Sequence, residues 1–141
     1  MPVYKTIVVW TGGHDGELSC SNGTKMSFSA PPALQGRHGV MTPEDAYVSA
    51  LNTCFHMMFI WAAERLRIQL VSYTCEAEGY VVDLLDRTSK FERMVLRPVI
   101  RVNANSVGRV PKALEWARKY SLVANSIAAP ILVEPKIESQ P

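Results

Sequence analysis

The stretch that decides the fold is Thr42-Pro-Glu-Asp-Ala-Tyr-Val-Ser-Ala-Leu-Asn-Thr-Cys-Phe-His-Met-Met-Phe-Ile-Trp-Ala-Ala-Glu-Arg-Leu-Arg67. It opens with helix-start chemistry. Thr42 suits an N-cap, Pro43 suits the first helical position, and Glu44 and Asp45 favour a helix N-terminus. Asp45 lies three residues after Thr42, close to a capping box. From Ala46 to Ala63 no residue is charged. Such a run approaches the roughly 20 residues of a membrane span. Ser49, Asn52, Thr53 and His56 interrupt it, however, and no second span follows, which argues against insertion. A helix apolar nearly all round is otherwise buried in protein. A chain of 141 residues can hardly wrap it on every side, so a homodimer sharing the helix is the expected solution.

Outward from the helix the chain reads as strands. On its N-terminal side, Val3 to Trp10 is rich in β-branched and aromatic residues, and Glu17 to Cys20 continues after a glycine-dense turn. Asn22-Gly23 is a two-residue hairpin signal. Met26, Phe28 and Ala30 then alternate with polar neighbours, and Pro31-Pro32 stops the strand. On the C-terminal side, Ile68–Val82 and Phe91–Val102 read as long strands, with Pro98 marking an edge or a bulge. Pro111–Tyr120 reads as a second helix, with Asn125–Ala129 continuing it as a short turn, and Ile131–Ile137 as a last strand. The order βββ-α-ββ-α-β predicts an α+β fold in a single domain over 1–141, without the βα alternation of a parallel sheet.

Composition narrows the function. Hydrophobic residues are 48% of the chain and the net charge is +2 from scattered basic residues. That is no footprint of a nucleic-acid binder. Cys20, Cys54 and Cys75 are widely spaced, with no zinc-ligand pattern, so no metal is expected and reduced thiols are. The N-terminus shows no secretory signal. A cytoplasmic protein without cofactor follows as the expectation.

Cys54, mid-helix, is the first candidate for chemistry. Free cysteine is also among the most buried residue types, so it must be weighed against a small core residue. His56, two positions on, points to another side of the helix and is no ready base. Glu44 is ten residues before Cys54, about 15 Å along a straight helix. The two meet only if the chain bends or if one comes from a second subunit. His14 and Arg37 sit in glycine-rich loops able to reach a pocket.

Three segments together carry a resemblance: Trp10-Thr-Gly-Gly-His-Asp-Gly16, Thr42-Pro-Glu-Asp-Ala-Tyr-Val-Ser-Ala-Leu-Asn-Thr-Cys-Phe55 and Ala113-Leu-Glu-Trp-Ala-Arg-Lys-Tyr-Ser-Leu-Val-Ala-Asn-Ser-Ile127. They resemble the OsmC/Ohr family, named for osmotically induced protein C and organic hydroperoxide resistance protein. The resemblance implies an OsmC-like α+β fold and an intertwined homodimer, with two central helices wrapped by β-sheets. It implies reduction of organic hydroperoxides by a peroxidatic cysteine, a resolving cysteine, and an Arg and a Glu that activate the first thiol. Cys54 matches the peroxidatic cysteine and Glu44 the activating glutamate. Ser121 stands where the resolving cysteine belongs. The arginine of one branch follows two glycines, where this chain has His14. In the other branch it lies in the loop before the Pro-Glu motif, where Arg37 sits at a different spacing.

The expected function is therefore a one-cysteine hydroperoxide reductase. Catalytic roles fall to Cys54, Glu44, Arg37 and His14, and substrate contacts to Phe55, Met58 and Ser121. An external thiol would serve as reductant, because a sulfenic acid must be cleared by a second thiol. The alternative is a binding module that holds an apolar or thiol-bearing small molecule in a dimer-interface pocket.

Overall fold

The computed structural model describes residues 1–141 and divides into two compact units, Met1–Tyr47 and Val48–Pro141. The first unit contains β1 (Thr6–Gly12), β2 (Asp15–Cys20) and β3 (Lys25–Ser29), an antiparallel sheet in the order β1-β2-β3. Its turns are set by glycine. Gly13 and Gly23 take positive φ, and the Asn22-Gly23 hairpin closes with a Cys20 N–H bond to the Thr24 carbonyl. None of this unit's hydrophobic residues is buried; only Gly16, Ser29 and Thr42 are.

Helix α1 (Pro43–Arg65) starts at the end of this unit and runs unbroken into the next. Thr42 and Asp45 cap it reciprocally. The Asp45 N–H donates to Thr42 Oγ1 at 3.1 Å and the Thr42 N–H to Asp45 Oδ2 at 3.2 Å. Aspartate thus completes the box that usually uses glutamate.

The second unit adds β4 (Leu70–Asp83), β5 (Ser89–Asn103), α2 (Val110–Tyr120), the five-residue α3 (Leu122–Ser126), β6 (Ile131–Val133) and β7 (Lys136–Gln140). β4 and β5 pair antiparallel, and β6 and β7 both lie parallel along the far side of β5. The core is built from Leu51, Phe55, Phe59 and Ala62 of α1, Met94, Leu96, Ile100 and Val102 of β5, and Ala113, Leu114 and Ala117 of α2. Helix α2 presents the apolar stripe expected of a half-buried helix. In contrast, α1 carries apolar residues on every side, with Ser49, Asn52, Thr53 and His56 among them, so no single stripe stands out.

Two expectations are corrected. The last strand is not continuous over Ile131–Ile137 but breaks at Glu134-Pro135 into β6 and β7. Pro98 marks neither an edge strand nor a bulge. β5 is an inner strand, and the register shifts fall at Leu70/Ser72 and Tyr80/Val81. β6 ends opposite Leu96 and β7 begins opposite Val99, so the proline occupies the gap between them. A residue without an N–H is tolerated where the ladder is interrupted.

Candidate functional site

Cys54 sits in the middle of α1, partly exposed, and its sulfur meets a single recorded partner. The Ser121 hydroxyl donates to Cys54 Sγ at 3.2 Å. Ser121 is fully buried and follows the last residue of α2. Its oxygen also accepts the Ala124 N–H at 3.1 Å, as the N-cap of α3. The cap occupies a lone pair of Oγ and leaves the hydroxyl proton directed at sulfur. Without the short α3 turn that hydroxyl would be free to rotate.

Beside this pair the rings of Trp61, Trp116 and Tyr120 cluster. Trp61 lies 6.0 Å from Trp116 and 5.3 Å, edge-on, from Tyr120. Met58 is one turn after Cys54 and partly buried against the core. Phe55 is completely buried, so its ring packs the interior of this unit and lines no open surface. The His56 ring meets Tyr73 at 4.7 Å in a tilted arrangement, on a different side of α1 from Cys54, as helical spacing expects.

The other two cysteines are apart from this pair by element. Cys20 ends β2. Cys75 is on β4, where its carbonyl accepts from Asn52 Nδ2 at 3.1 Å. Burial pushes the Cys75 thiol above its ordinary range, which disfavours the reactive thiolate. The neighbouring Tyr73 hydroxyl is sealed from solvent and makes no hydrogen bond of ordinary geometry. Its burial, reinforced by Cys75, pushes the phenol far above its usual value.

Within the first unit, the two alternative positions for the family arginine converge on one residue, Ser29. This fully buried serine accepts the Arg37 N–H at 3.0 Å and donates to the His14 carbonyl at 3.4 Å. The Arg37 guanidinium reaches Asp15, with Nε 2.9 Å from Oδ2. The Ser29 hydroxyl first, and the Arg37 charge after it, hold the Asp15 carboxyl below the usual carboxylate range. Gly36 permits this loop, because a Cβ there would lie 1.5 Å from the Ala30 carbonyl oxygen. Sequence reasoning singled out His14 and Arg37 but missed Ser29 and Asp15. The available signal was the acid next to His14 in a loop facing an unassigned arginine. Glu44 stands in the first turn of α1. Since that helix is unbroken, it stays ten residues, about 15 Å, from Cys54 of the same chain.

An α+β chain with a partly exposed helical thiol under a capped serine is what this geometry defines. The model of the OsmC-like protein family matches residues 36–136, and the chain belongs to that family. The fold agrees with solved structures over nearly its full length. It is similar to an OsmC-like protein of unknown function from Vibrio cholerae, at 23% identity and a TM-score of 0.87 over 96% of this chain and 99% of that one. An OsmC-like protein from Mycoplasma pneumoniae gives 15% identity and a TM-score of 0.83 over 97% and 98%. An organic hydroperoxide resistance protein from Elizabethkingia anophelis gives 15% and 0.74 over 99% and 98%. No curated protein sequence matches the chain. No helix is long and apolar enough to cross a membrane.

Proposed function

We propose that this OsmC-like chain is a one-cysteine thiol peroxidase that reduces organic hydroperoxides through Cys54. The observation that carries the reading is the Ser121 hydroxyl 3.2 Å from Cys54 Sγ. The position that resembles the family's resolving thiol is thus beside the sulfur but holds an alcohol. In the reaction, the Cys54 thiolate attacks the terminal oxygen of the hydroperoxide. The O–O bond breaks, the alkoxide takes a proton and leaves as the alcohol, and sulfur becomes a sulfenic acid. Serine cannot displace that hydroxyl as a disulfide-forming thiol would. An external thiol therefore condenses with the sulfenic acid and releases water. A second external thiol then attacks the mixed disulfide, restores Cys54 and leaves as the small disulfide.

The activating roles go to the charged residues of the first unit. Arg37, already oriented by Asp15 and Ser29, supplies a guanidinium, and Glu44 supplies the carboxylate that orients it. His14 is the alternative cation. Because α1 keeps Glu44 distant from the Cys54 of its own chain, these groups act on a second copy's thiol in a homodimer. Ala50, Thr53 and Met57 support such an assembly, since they form an exposed stripe on one side of α1.

Stopped-flow mixing of the reduced protein with cumene hydroperoxide tests the reading, together with mass spectrometry of the product. The expected product is a Cys54 sulfenic acid that is overoxidised by excess peroxide and rescued by added thiol. A wild-type disulfide that contains Cys54 and either Cys20 or Cys75 would overturn the one-cysteine mechanism. No oxidation at all would leave small-molecule binding as the function.

A further inference from the structure

Ser121 has one proton to give and one place to give it. The residue is fully buried, so no solvent takes the proton. Its oxygen accepts the Ala124 N–H at 3.1 Å, and its other hydrogen-bond partner is Cys54 Sγ at 3.2 Å. A buried hydroxyl proton without an acceptor is costly, so it stays on the sulfur. The amide that holds the oxygen also polarises the O–H bond and makes it a better donor.

How strong that contact is depends on the charge of the sulfur. A thiol sulfur is a weak acceptor, whereas a thiolate takes a charge-assisted hydrogen bond, about twice as strong as a neutral one. The Ser121 proton therefore favours the thiolate over the thiol. Cys75 has the opposite arrangement. Its Sγ donates to the Glu76 carbonyl at 3.7 Å, a contact that only the thiol can make. No charged group of the second unit competes for the Cys54 sulfur. On α1, His56 is turned to Tyr73, and Glu64 and Arg65 are ten and eleven residues away, at least about 15 Å along the helix. In the last turn of α2, Arg118 donates to Asn125 at 3.3 Å and Lys119 lies 5.2 Å over the Tyr120 ring. None of them bonds to Cys54.

Resting on the reading of Cys54 as the redox centre, we propose that Ser121 is a catalytic residue whose hydroxyl holds the Cys54 sulfur as the thiolate that attacks the peroxide. An alcohol at this place cannot resolve a sulfenic acid, but it can hold a thiolate. No proton passes from serine to sulfur. The thiol proton leaves to solvent through the exposed side of Cys54, and the serine O–H bond stays intact through the attack. The donor also has a cost, because it occupies a lone pair of the nucleophile once the thiolate has formed.

Alkylation by iodoacetamide tests this without peroxide. The thiolate displaces iodide, so the rate follows the thiolate population. Rates are read on the Cys54 peptide of the full-length protein by mass spectrometry, between about pH 5 and 10. Ser121→Ala should move the rising limb of the profile by about 0.7 pH unit to the alkaline side, an about fivefold loss of rate at any pH on that limb. The plateau should be no lower than in wild type, because the freed lone pair restores nucleophilicity. Ser121→Gly takes the place of the alanine variant if circular dichroism shows the latter unfolded, since glycine is tolerated at an N-cap. A limb that stays in place without the hydroxyl overturns the inference. So does a lowered plateau with no displacement, the mark of a serine that only supports the fold.

The displacement should appear again in an Arg37→Gln background. Its disappearance there would mean that the serine acts only through that cation, and the inference would fall. Stopped-flow oxidation by cumene hydroperoxide separates this role from the reading it rests on. On the rising limb, Ser121→Ala should slow oxidation by the same factor of about five. A Cys54 that no hydroperoxide oxidises sinks the peroxidase reading, and the alkylation profile still decides whether Ser121 holds the thiolate. A peroxide-reactive Cys54 with an unmoved profile removes the role of Ser121 alone.

Discussion

In β1 of the first unit, Val8 and Val9 are 61% and 57% exposed, whereas Leu96 and Ile100 of β5 in the second are fully buried. Both strands are rich in β-branched and aliphatic residues, so propensity alone does not separate them. The difference lies in what each sheet has to pack on. The second unit lays α1 and α2 on β5 and seals a core. The first has three strands and no buried hydrophobic residue. The contrast extends to the chemistry. Cys54 stands on a helix and Ser121 at the junction of two helices in the unit with a core, whereas Arg37 and His14 sit on loops of the unit without one.

The largest effect should come from the chemical half of this contrast. Cys54→Ser is expected to abolish peroxide-dependent oxidation, measured by stopped flow with a sulfenic-acid trap. Arg37→Gln should slow oxidation by about a hundredfold, the scale seen when one charge-stabilising donor is removed. The global fold should change little, because an exposed ion pair contributes little stability. An Arg37→Gln enzyme as fast as wild type would remove Arg37 from the mechanism and leave His14 as the first unit's cation; if Arg37→Gln/His14→Gln were also as fast, neither cation of the first unit would take part.

Next is the packing itself. Phe59→Ala empties the centre of the second core and should cost about 3–5 kcal/mol in urea unfolding. Val8→Ala should cost less than about 0.5 kcal/mol if β1 faces water in the working protein. The homodimer proposal predicts more, about 1–2 kcal/mol, together with a Tm that rises with protein concentration, if the second copy covers this face. A small, concentration-independent change would break the homodimer proposal.

The same contrast explains what could be read in the sequence. Element order was legible because the signals are local: Asn22-Gly23, the Thr42–Asp45 cap and the stripe of α2 depend on neighbours in the chain. The split between β6 and β7 was not. Ile131 to Ile137 reads as one apolar run, and the break depends on which stretch of β5 each half meets. In the candidate site, family resemblance pointed to Cys54 and Ser121, and the structure adds that α3 orients the serine hydroxyl. Ser29 was illegible because a buried serine that anchors Arg37 and His14 has no local pattern. The core position of Phe55, expected as a substrate contact, was illegible for a similar reason. Adjacency to Cys54 in sequence puts it about 100° around the helix, on the core side.

A smaller effect is expected at the hinge of the serine pair. Ser121→Ala removes both the α3 cap and the hydroxyl on sulfur, and should destabilise by about 1–2 kcal/mol. Ser121→Cys should be milder. On peroxide treatment it should yield a disulfide between Cys54 and the introduced thiol, visible by mass spectrometry. The present 3.2 Å contact already brings the two side chains together. Absence of that disulfide in an otherwise oxidisable variant would show that the backbones are too far apart for sulfur–sulfur bonding.

The smallest effects are in the pH dependence of stability. In the first unit, Asp15 has a lowered folded-state pKa, so its contribution is present above its ordinary 3.8 and is lost as pH falls through the lower folded value. In the second, Cys75 and Tyr73 are raised from 9.0 and 10.0, so their contributions are intact below those values and decline as pH rises past them. The acid limb of stability should therefore report on the exposed loop around Arg37 together with the β4–β5 turn, where the Thr88 hydroxyl holds the Asp86 carboxyl low, and the alkaline limb on the packing of β4 against α1. Tyr73→Phe sharpens the second assignment. It deletes a sealed hydroxyl that has no hydrogen-bond partner, so stability at neutral pH should be unchanged or higher by up to about 1 kcal/mol. Above pH 10 the variant should lose less stability than wild type, because it lacks a phenol that ionises only on unfolding. Urea unfolding of both proteins between pH 7 and 11 measures this. A Tyr73→Phe protein with the same alkaline decline as wild type would assign that limb to Cys75 alone.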